Sequence, residues 1–207
     1  MNTTKSTDRL FPTTVTLFEN VLEEEYIDSM INDIVKSSKE IGRKENWQSN
    51  HNPKLYENPK YKALGDKILQ LSKVYIDDLK FEYEEHYITG MWSNILKPGE
   101  FHSPHTHSNN LVSGVFYLQS NDNSPAITFL DPRPQTGILQ PQQKEYTREN
   151  STMYYYPAKV NNMLLFPSWL QHYVPKNKSN TDRISIAFNV MLRGQVGRPD
   201  NFQSNKF

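Results

Sequence analysis

The 207-residue chain contains no cysteine, which excludes disulfides, thiolate nucleophiles, iron–sulfur clusters and cysteine zinc sites. It has no excess of charge of either sign, since Lys+Arg and Asp+Glu both number 23. Nucleic acid and anionic membranes select for positive charge, so neither is expected as a main partner. Long apolar runs are missing as well. A stretch such as Met163-Leu164-Leu165-Phe166 is far short of the roughly 20 residues that span a bilayer. The start, Met1 to Ser6, is polar with no apolar run behind it, so no secretory signal and a cytoplasmic location are expected. There is no internal repeat and no low-complexity segment. Mean hydropathy is low at −0.76, yet 12% of the residues are aromatic. Phe, Tyr and Trp therefore supply a core, and disorder of the whole chain is excluded. The length suits one domain over 1–207, with an N-terminal arm and helical front over 1–80, a β core over 81–192 and a tail over 193–207.

What is present divides into a helical front and a strand-rich back. Thr13 to Phe18 is β-branched enough for a short strand. Leu22, Tyr26, Met30 and Ile34, flanked by Ile27, Ile31 and Val35, recur at helical spacing and predict a helix to about Ser38. Gly42 to Pro59 has no period and reads as a loop. Tyr61, Leu64, Ile68, Leu71 and Tyr75 predict a second helix. Beyond Phe81, the segments Tyr83–Leu96, Leu111–Leu118, Ala126–Leu130, Thr152–Tyr156, Asn162–Phe166 and Arg183–Leu192 are short and rich in Val, Ile, Phe and Tyr. That rhythm is one of an antiparallel sandwich or barrel, with the two helices against its outside.

The chemistry concentrates in the histidines, which are His51, His86, His102, His105, His107 and His172. In an extended segment, residues two apart face the same way, so His105 and His107 can aim two imidazoles at one point. His102 is offset by an odd number, with Pro104 between, and is expected to face elsewhere. Taken alone, the pair reads sooner as a His-rich surface loop, and His172, after the Phe166-Pro167-Ser168-Trp169 turn, as a core histidine bonded to a carbonyl. From Asp182 onward the chain alternates cleanly. Ile184, Ile186, Phe188 and Val190 share one face, and Arg183, Ser185, Ala187 and Asn189 the other. The polar face reads either as a solvated surface or as an anion-binding wall, in which a guanidinium grips a carboxylate and a hydroxyl supports it.

In order, His105-Thr106-His107, Ser113-Gly114-Val115-Phe116-Tyr117-Leu118, Phe129-Leu130-Asp131-Pro132-Arg133, Phe166 to His172 and Arg183-Ile184-Ser185 resemble the 2-oxoglutarate/Fe(II)-dependent oxygenases. The likeness is nearest to small bacterial and phage members and covers roughly residues 88–192. It implies a double-stranded β-helix, a jelly-roll (cupin-like) core flanked by the two helices. It also implies Fe(II) on His105, His107 and His172, with 2-oxoglutarate chelating the metal and O2 taking the last position. The far carboxylate of the cosubstrate would pair with Arg183 and Ser185, with Asn94 and Asn189 as further cosubstrate contacts. Oxidative decarboxylation would then release succinate and carbon dioxide and end in hydroxylation of a small-molecule or peptidyl substrate. Tyr117 is expected to be core rather than a cosubstrate contact, and Tyr154-Tyr155-Tyr156 and Trp169 to be core rather than the lining of a substrate cleft.

The pattern departs from most relatives at one position, where they carry a carboxylate and this chain carries His107. His107 is the expected third ligand; a water with His107 turned away, or Asp131 from its Pro-bounded turn, are the alternatives. Three neutral imidazoles leave the metal and the cosubstrate's metal-bound carboxylate with a net positive charge. Iron binding is then expected to be weaker and sensitive to pH near the imidazole pKa of about 6.5, and the anionic cosubstrate to be held harder. Two rival functions remain at this point: a three-histidine cupin-type dioxygenase that needs no 2-oxoglutarate, and a non-catalytic jelly-roll binding module. A homodimer through the front helices is also open.

Overall fold

The alternation after Asp182 organises the molecule. In the computed structural model, which describes residues 3–41, 52–198, 200 and 202–207, strand Arg183–Arg193 is covered on both faces along most of its length. It lies inside a five-stranded antiparallel sheet. In chain order the strands of this sheet are β1 (Thr16–Phe18), β2 (Glu85–Leu96), β4 (Val112–Gln119), β7 (Met163–Pro167) and β9 (Arg183–Arg193), arranged β1-β7-β4-β9-β2. A second sheet, ordered β3-β8-β5-β6, is built from β3 (His102–His105), β5 (Ile127–Leu130), β6 (Met153–Tyr156) and β8 (His172–Val174). The two sheets form the antiparallel sandwich that the strand rhythm predicts.

Each face of the large sheet has its own apolar layer. Ile184, Ile186, Phe188 and Val190 pack outward against Ile27, Met30 and Ile34 of α1 (Glu24–Ile41) and against Leu64, Ile68, Tyr75 and Ile76 of α2 (Lys62–Asp78). Burial of each such side chain is worth about 1.5–3 kcal/mol, and it holds helices that would be marginal in isolation. Glu24 and Glu25 in the first turn of α1 and Lys39 in its last turn suit the helix dipole. Asp33 of α1 accepts from Lys60 and from the Tyr61 hydroxyl, fastening it to the start of α2. Between the sheets lies a second layer of Val115, Tyr117, Ile127, Phe129, Leu164 and Phe166.

Several boundaries differ from expectation. Tyr26 is exposed while Ile27 is buried, so the buried stripe of α1 is turned by one residue, and the helix runs to Ile41. Strands β3 and β8 were not separable as strands by pattern, because one is His-Ser-Pro-His and the other only three residues long. The tail forms a small hairpin of β10 (Gln195–Val196) and β11 (Asn205–Lys206). His51 and most of the expected loop from Gly42 to Pro59 lie outside the described residues; the remainder contains single 3-10 turns at Leu55–Glu57 and Pro59–Tyr61. Among the described residues, no helix is long and apolar enough to cross a membrane.

Gly114 on β4 permits the closest approach in the large sheet. A Cβ there would stand 2.2 Å from Cζ of the buried Phe188 ring and 2.8 Å from the Leu164 carbonyl oxygen, neither of which has room to retreat. Gly114→Ala should therefore lower stability by about 2 kcal/mol or more, read as a lower urea midpoint. An unchanged midpoint would contradict this packing.

Candidate metal centre and anion pocket

Strands β3 and β8 carry the histidines to one place. Their antiparallel register pairs His105 with His172 and His102 with Val174, so three steps on β3 match two on β8. This bulge resets the alternation. It is the reason that His102, expected to face elsewhere, lines the same cavity as His105, His107 and His172. His107 follows the last ladder pair of β3, and its backbone N–H donates to the Ser168 carbonyl at 2.9 Å. The ring centroids of His105 and His172 are 4.4 Å apart, and His107 lies 5.0 Å and 5.2 Å from them. One ligand atom from each of the three falls within 4.8 Å of the others. Imidazoles sharing one ion at about 2.1 Å stand roughly 3 Å apart when adjacent, so the rings are gathered and slightly spread.

Backbone carbonyls choose the tautomers of two of these rings. His105 Nδ1 is 2.8 Å from the Ser103 carbonyl, and His172 Nδ1 is 2.9 Å from that of Leu170. A carbonyl only accepts, so each Nδ1 carries the proton and each Nε2 presents a lone pair, which is the ligand-ready form. Burial favours the neutral form of His102, His107 and His172. Desolvation pushes His102 down to about 3, with the Arg183 charge adding to it, and His107 down to about 4, with His105 adding. His172 is also lowered to about 3 by desolvation, against which the Leu170 bond acts. The proton competition expected near pH 6.5 is thus displaced well downward at His107 and His172.

Beside these neutral rings stands a cation. Arg183 is 2% exposed, and burial lowers its pKa from the usual arginine value. One terminal nitrogen donates to the Ser185 hydroxyl at 3.3 Å, its Cζ lies 4.9 Å from the Tyr117 ring centroid, and its Nε has no partner. Among the described residues no carboxylate pairs with it. Asn94, opposite Ser185 in the β2–β9 register, is buried with its Oδ1 unbonded. Asn94, Arg183, Ser185 and the four histidines line one cavity of about 200 Å³ whose other walls include Val115, Ile127, Phe166 and Val174. An open groove of about 690 Å³ lies elsewhere, by Glu23, Glu24 and Lys67, but its Asn161 amide is committed to the Leu22 backbone.

The remaining expected residues fall outside this cluster. Asn189 shares the Arg183 face, but it lies farther along β9, where its Oδ1 accepts from the Ser113 hydroxyl at 2.7 Å. It is not among the residues that line the cavity. Asp131 is held by Arg133, whose Nε and Nη2 donate at 3.0 and 2.8 Å, so its carboxylate is occupied away from the three histidines. Tyr117 is core as expected, yet its hydroxyl has no partner and its ring stacks on Arg183. Tyr154, Tyr155 and Trp169, expected in the core, are exposed. The tyrosines sit on β6, the edge of the small sheet, where no further strand covers them.

Residues 90–189 match the family model described as "Putative 2OG-Fe(II) oxygenase". No curated protein matches the chain. Among solved structures, a Pseudomonas putida prolyl-4-hydroxylase superimposes with a TM-score of 0.60 at 13% identity, over 88% of this chain and 89% of that one. HygX from Streptomyces hygroscopicus, solved with nickel and 2-oxoglutarate, gives 0.62 at 10% identity over 87% and 83%. The epimerase SnoN, in complex with Fe3+, alpha ketoglutarate and nogalamycin RO, gives 0.64 at 11% over 90% and 82%. At these identities the superpositions establish the double-stranded β-helix fold.

The lowered histidines carry a pH signature. In the unfolded chain they titrate near 6.5, so between that pH and about 4 the unfolded state binds more protons and stability rises with pH. The metal-free protein should accordingly lose stability as pH falls from about 6.5, giving a lower urea midpoint at pH 5 than at pH 7.5. His102→Gln removes one of the three contributions and should flatten that fall; an unchanged pH dependence would contradict the buried placement of His102.

Proposed function

We propose, from the match of residues 90–189 to the model described as a 2OG-Fe(II) oxygenase, that the protein couples decarboxylation of 2-oxoglutarate to succinate with hydroxylation of an organic substrate. The observation that carries this reading is Arg183. A buried ion costs several kcal/mol of lost hydration, and this one, in the cavity that holds the histidines, has no carboxylate partner among the described residues. An anionic ligand of small size compensates it. The far carboxylate of 2-oxoglutarate does so, with the fork of Arg183 binding its oxygens and the Ser185 hydroxyl supporting them.

His105, His107 and His172 hold the iron, with the Nε2 lone pairs of His105 and His172 already directed by their carbonyl bonds. Bound iron supplies Lewis acidity and the redox chemistry that activates oxygen. Asn94 meets the cosubstrate on the wall beside Ser185. Val115, Ile127, Phe166 and Val174 exclude water from the pocket, so that the charge of Arg183 acts at low dielectric. Because all three metal-binding side chains are neutral, the metal and the cosubstrate's metal-bound carboxylate keep a net positive charge, and the cosubstrate is held more tightly than a carboxylate ligand would allow.

The test is oxygen uptake and succinate release by the iron-loaded protein against a panel of peptides and small metabolites. Both should require 2-oxoglutarate, and Arg183→Ala should weaken 2-oxoglutarate binding by roughly 100-fold or more. Iron-dependent oxygen uptake that ignores 2-oxoglutarate would instead indicate the cupin-type reaction, in which Arg183 has no task. In a second comparison, His107→Asp should bind iron more tightly and 2-oxoglutarate more weakly than the wild type. Equal affinities in both titrations would refute the third-histidine assignment.

A further inference from the structure

Three polar side chains are buried together on the inner face of the large sheet without touching the cavity. Ser113, Ser168 and Asn189 are 1%, 0% and 8% exposed. The Ser113 hydroxyl donates to Asn189 Oδ1 at 2.7 Å, and the two serine oxygens are 2.8 Å apart. Ser113 has a single proton and gives it to Asn189, so the proton between the serines belongs to Ser168. The chain of donors runs in one direction, from Ser168 to Ser113 to Asn189. Polar groups this deep cost free energy unless bonded, and here each satisfies the next.

What this chain holds is the turn between β7 and β8. The Ser168 N–H donates to the Leu111 carbonyl at 3.0 Å, and the Leu170 N–H closes the turn on the Pro167 carbonyl at 2.9 Å. The Ser168 carbonyl receives the His107 N–H, and the Leu170 carbonyl receives His172 Nδ1. One turn therefore grips the backbone of one histidine and the ring of another. His107 depends on it most, because it lies past the β3 ladder that positions His105.

We infer that Ser168, anchored through Ser113 to Asn189, is a positioning residue that sets His107 and His172 for metal binding. The proposal rests on the metal reading above and adds to it the device that makes a third histidine usable as a ligand. Partners that orient metal-binding side chains are commonly worth about 10- to 100-fold in metal affinity.

The experiment uses the metal-free full-length protein and Co(II) as probe, read by titration calorimetry, by the visible spectrum of the bound ion and by thermal melting of the apo form. Ser168→Ala and Ser113→Ala should each weaken Co(II) binding by roughly 10-fold or more and shift the visible band. Ser72→Ala, which removes a buried and unbonded hydroxyl on α2, should leave affinity and spectrum as in the wild type. Asn189→Ala is the second route should Ser113→Ala not fold, and is expected to act in the same direction. Wild-type affinity and spectrum in the folded network variants would overturn the positioning role while leaving the metal site standing. Failure of the wild type itself to bind Co(II) would overturn the metal reading and this proposal with it.

Discussion

A guanidinium sealed between two sheets, with no carboxylate among the described residues to neutralise it, is the constraint around which the rest of the pocket is arranged. Arg183 reaches its position because β9 runs inside the large sheet, between β4 and β2, and alternates without interruption. Its outward neighbours fasten the helices and its inward ones face the second sheet. Stacking on Tyr117 and the long contact to Ser185 steady the cation, but neither removes its charge. The fold thus maintains a standing demand for an anion at a fixed depth.

The same burial that strands the cation prepares the histidines. Desolvation keeps His102, His107 and His172 neutral, and the carbonyls of Ser103 and Leu170 orient the rings of His105 and His172 by accepting from Nδ1. In the proposed function these rings and the cation are two halves of one site: one side would take a metal ion, the other the far end of an anion chelated to it. A second, buried hydrogen-bonded chain through Ser113 ties the turn that carries Ser168 to the sheet behind it. The turn beside His107 and His172 is in this way anchored in the strands rather than in the loop.

Much of this was legible in the residues. The helical spacing in the front half and the alternation after Asp182 located both helices and the strand that carries Arg183. The His105, His107, His172 set and Arg183 followed from motif order. What was not legible depended on tertiary context. Alternation shows that Arg183, Ser185 and Asn189 share a face, but not that a second sheet covers that face, nor that Asn189 lies one step beyond the cavity. The bulge in β3 turns His102 inward, and no pattern in His-Ser-Pro-His announces it. Tyr154 and Tyr155 have the composition of a core, yet they stand on an edge strand, and being at an edge is a property of the sheet rather than of the segment.

The central claim, that three imidazoles and one buried guanidinium share a single metal–anion site, is tested most directly by crystallography. Crystals of the iron-loaded protein grown anaerobically with 2-oxoglutarate would be measured at the iron absorption edge. The account predicts one anomalous peak bonded to His105, His107 and His172, with the distal carboxylate of the cosubstrate on Arg183. A peak away from these rings, a carboxylate from Asp131 in place of His107, or a cosubstrate that leaves Arg183 unpaired would contradict it.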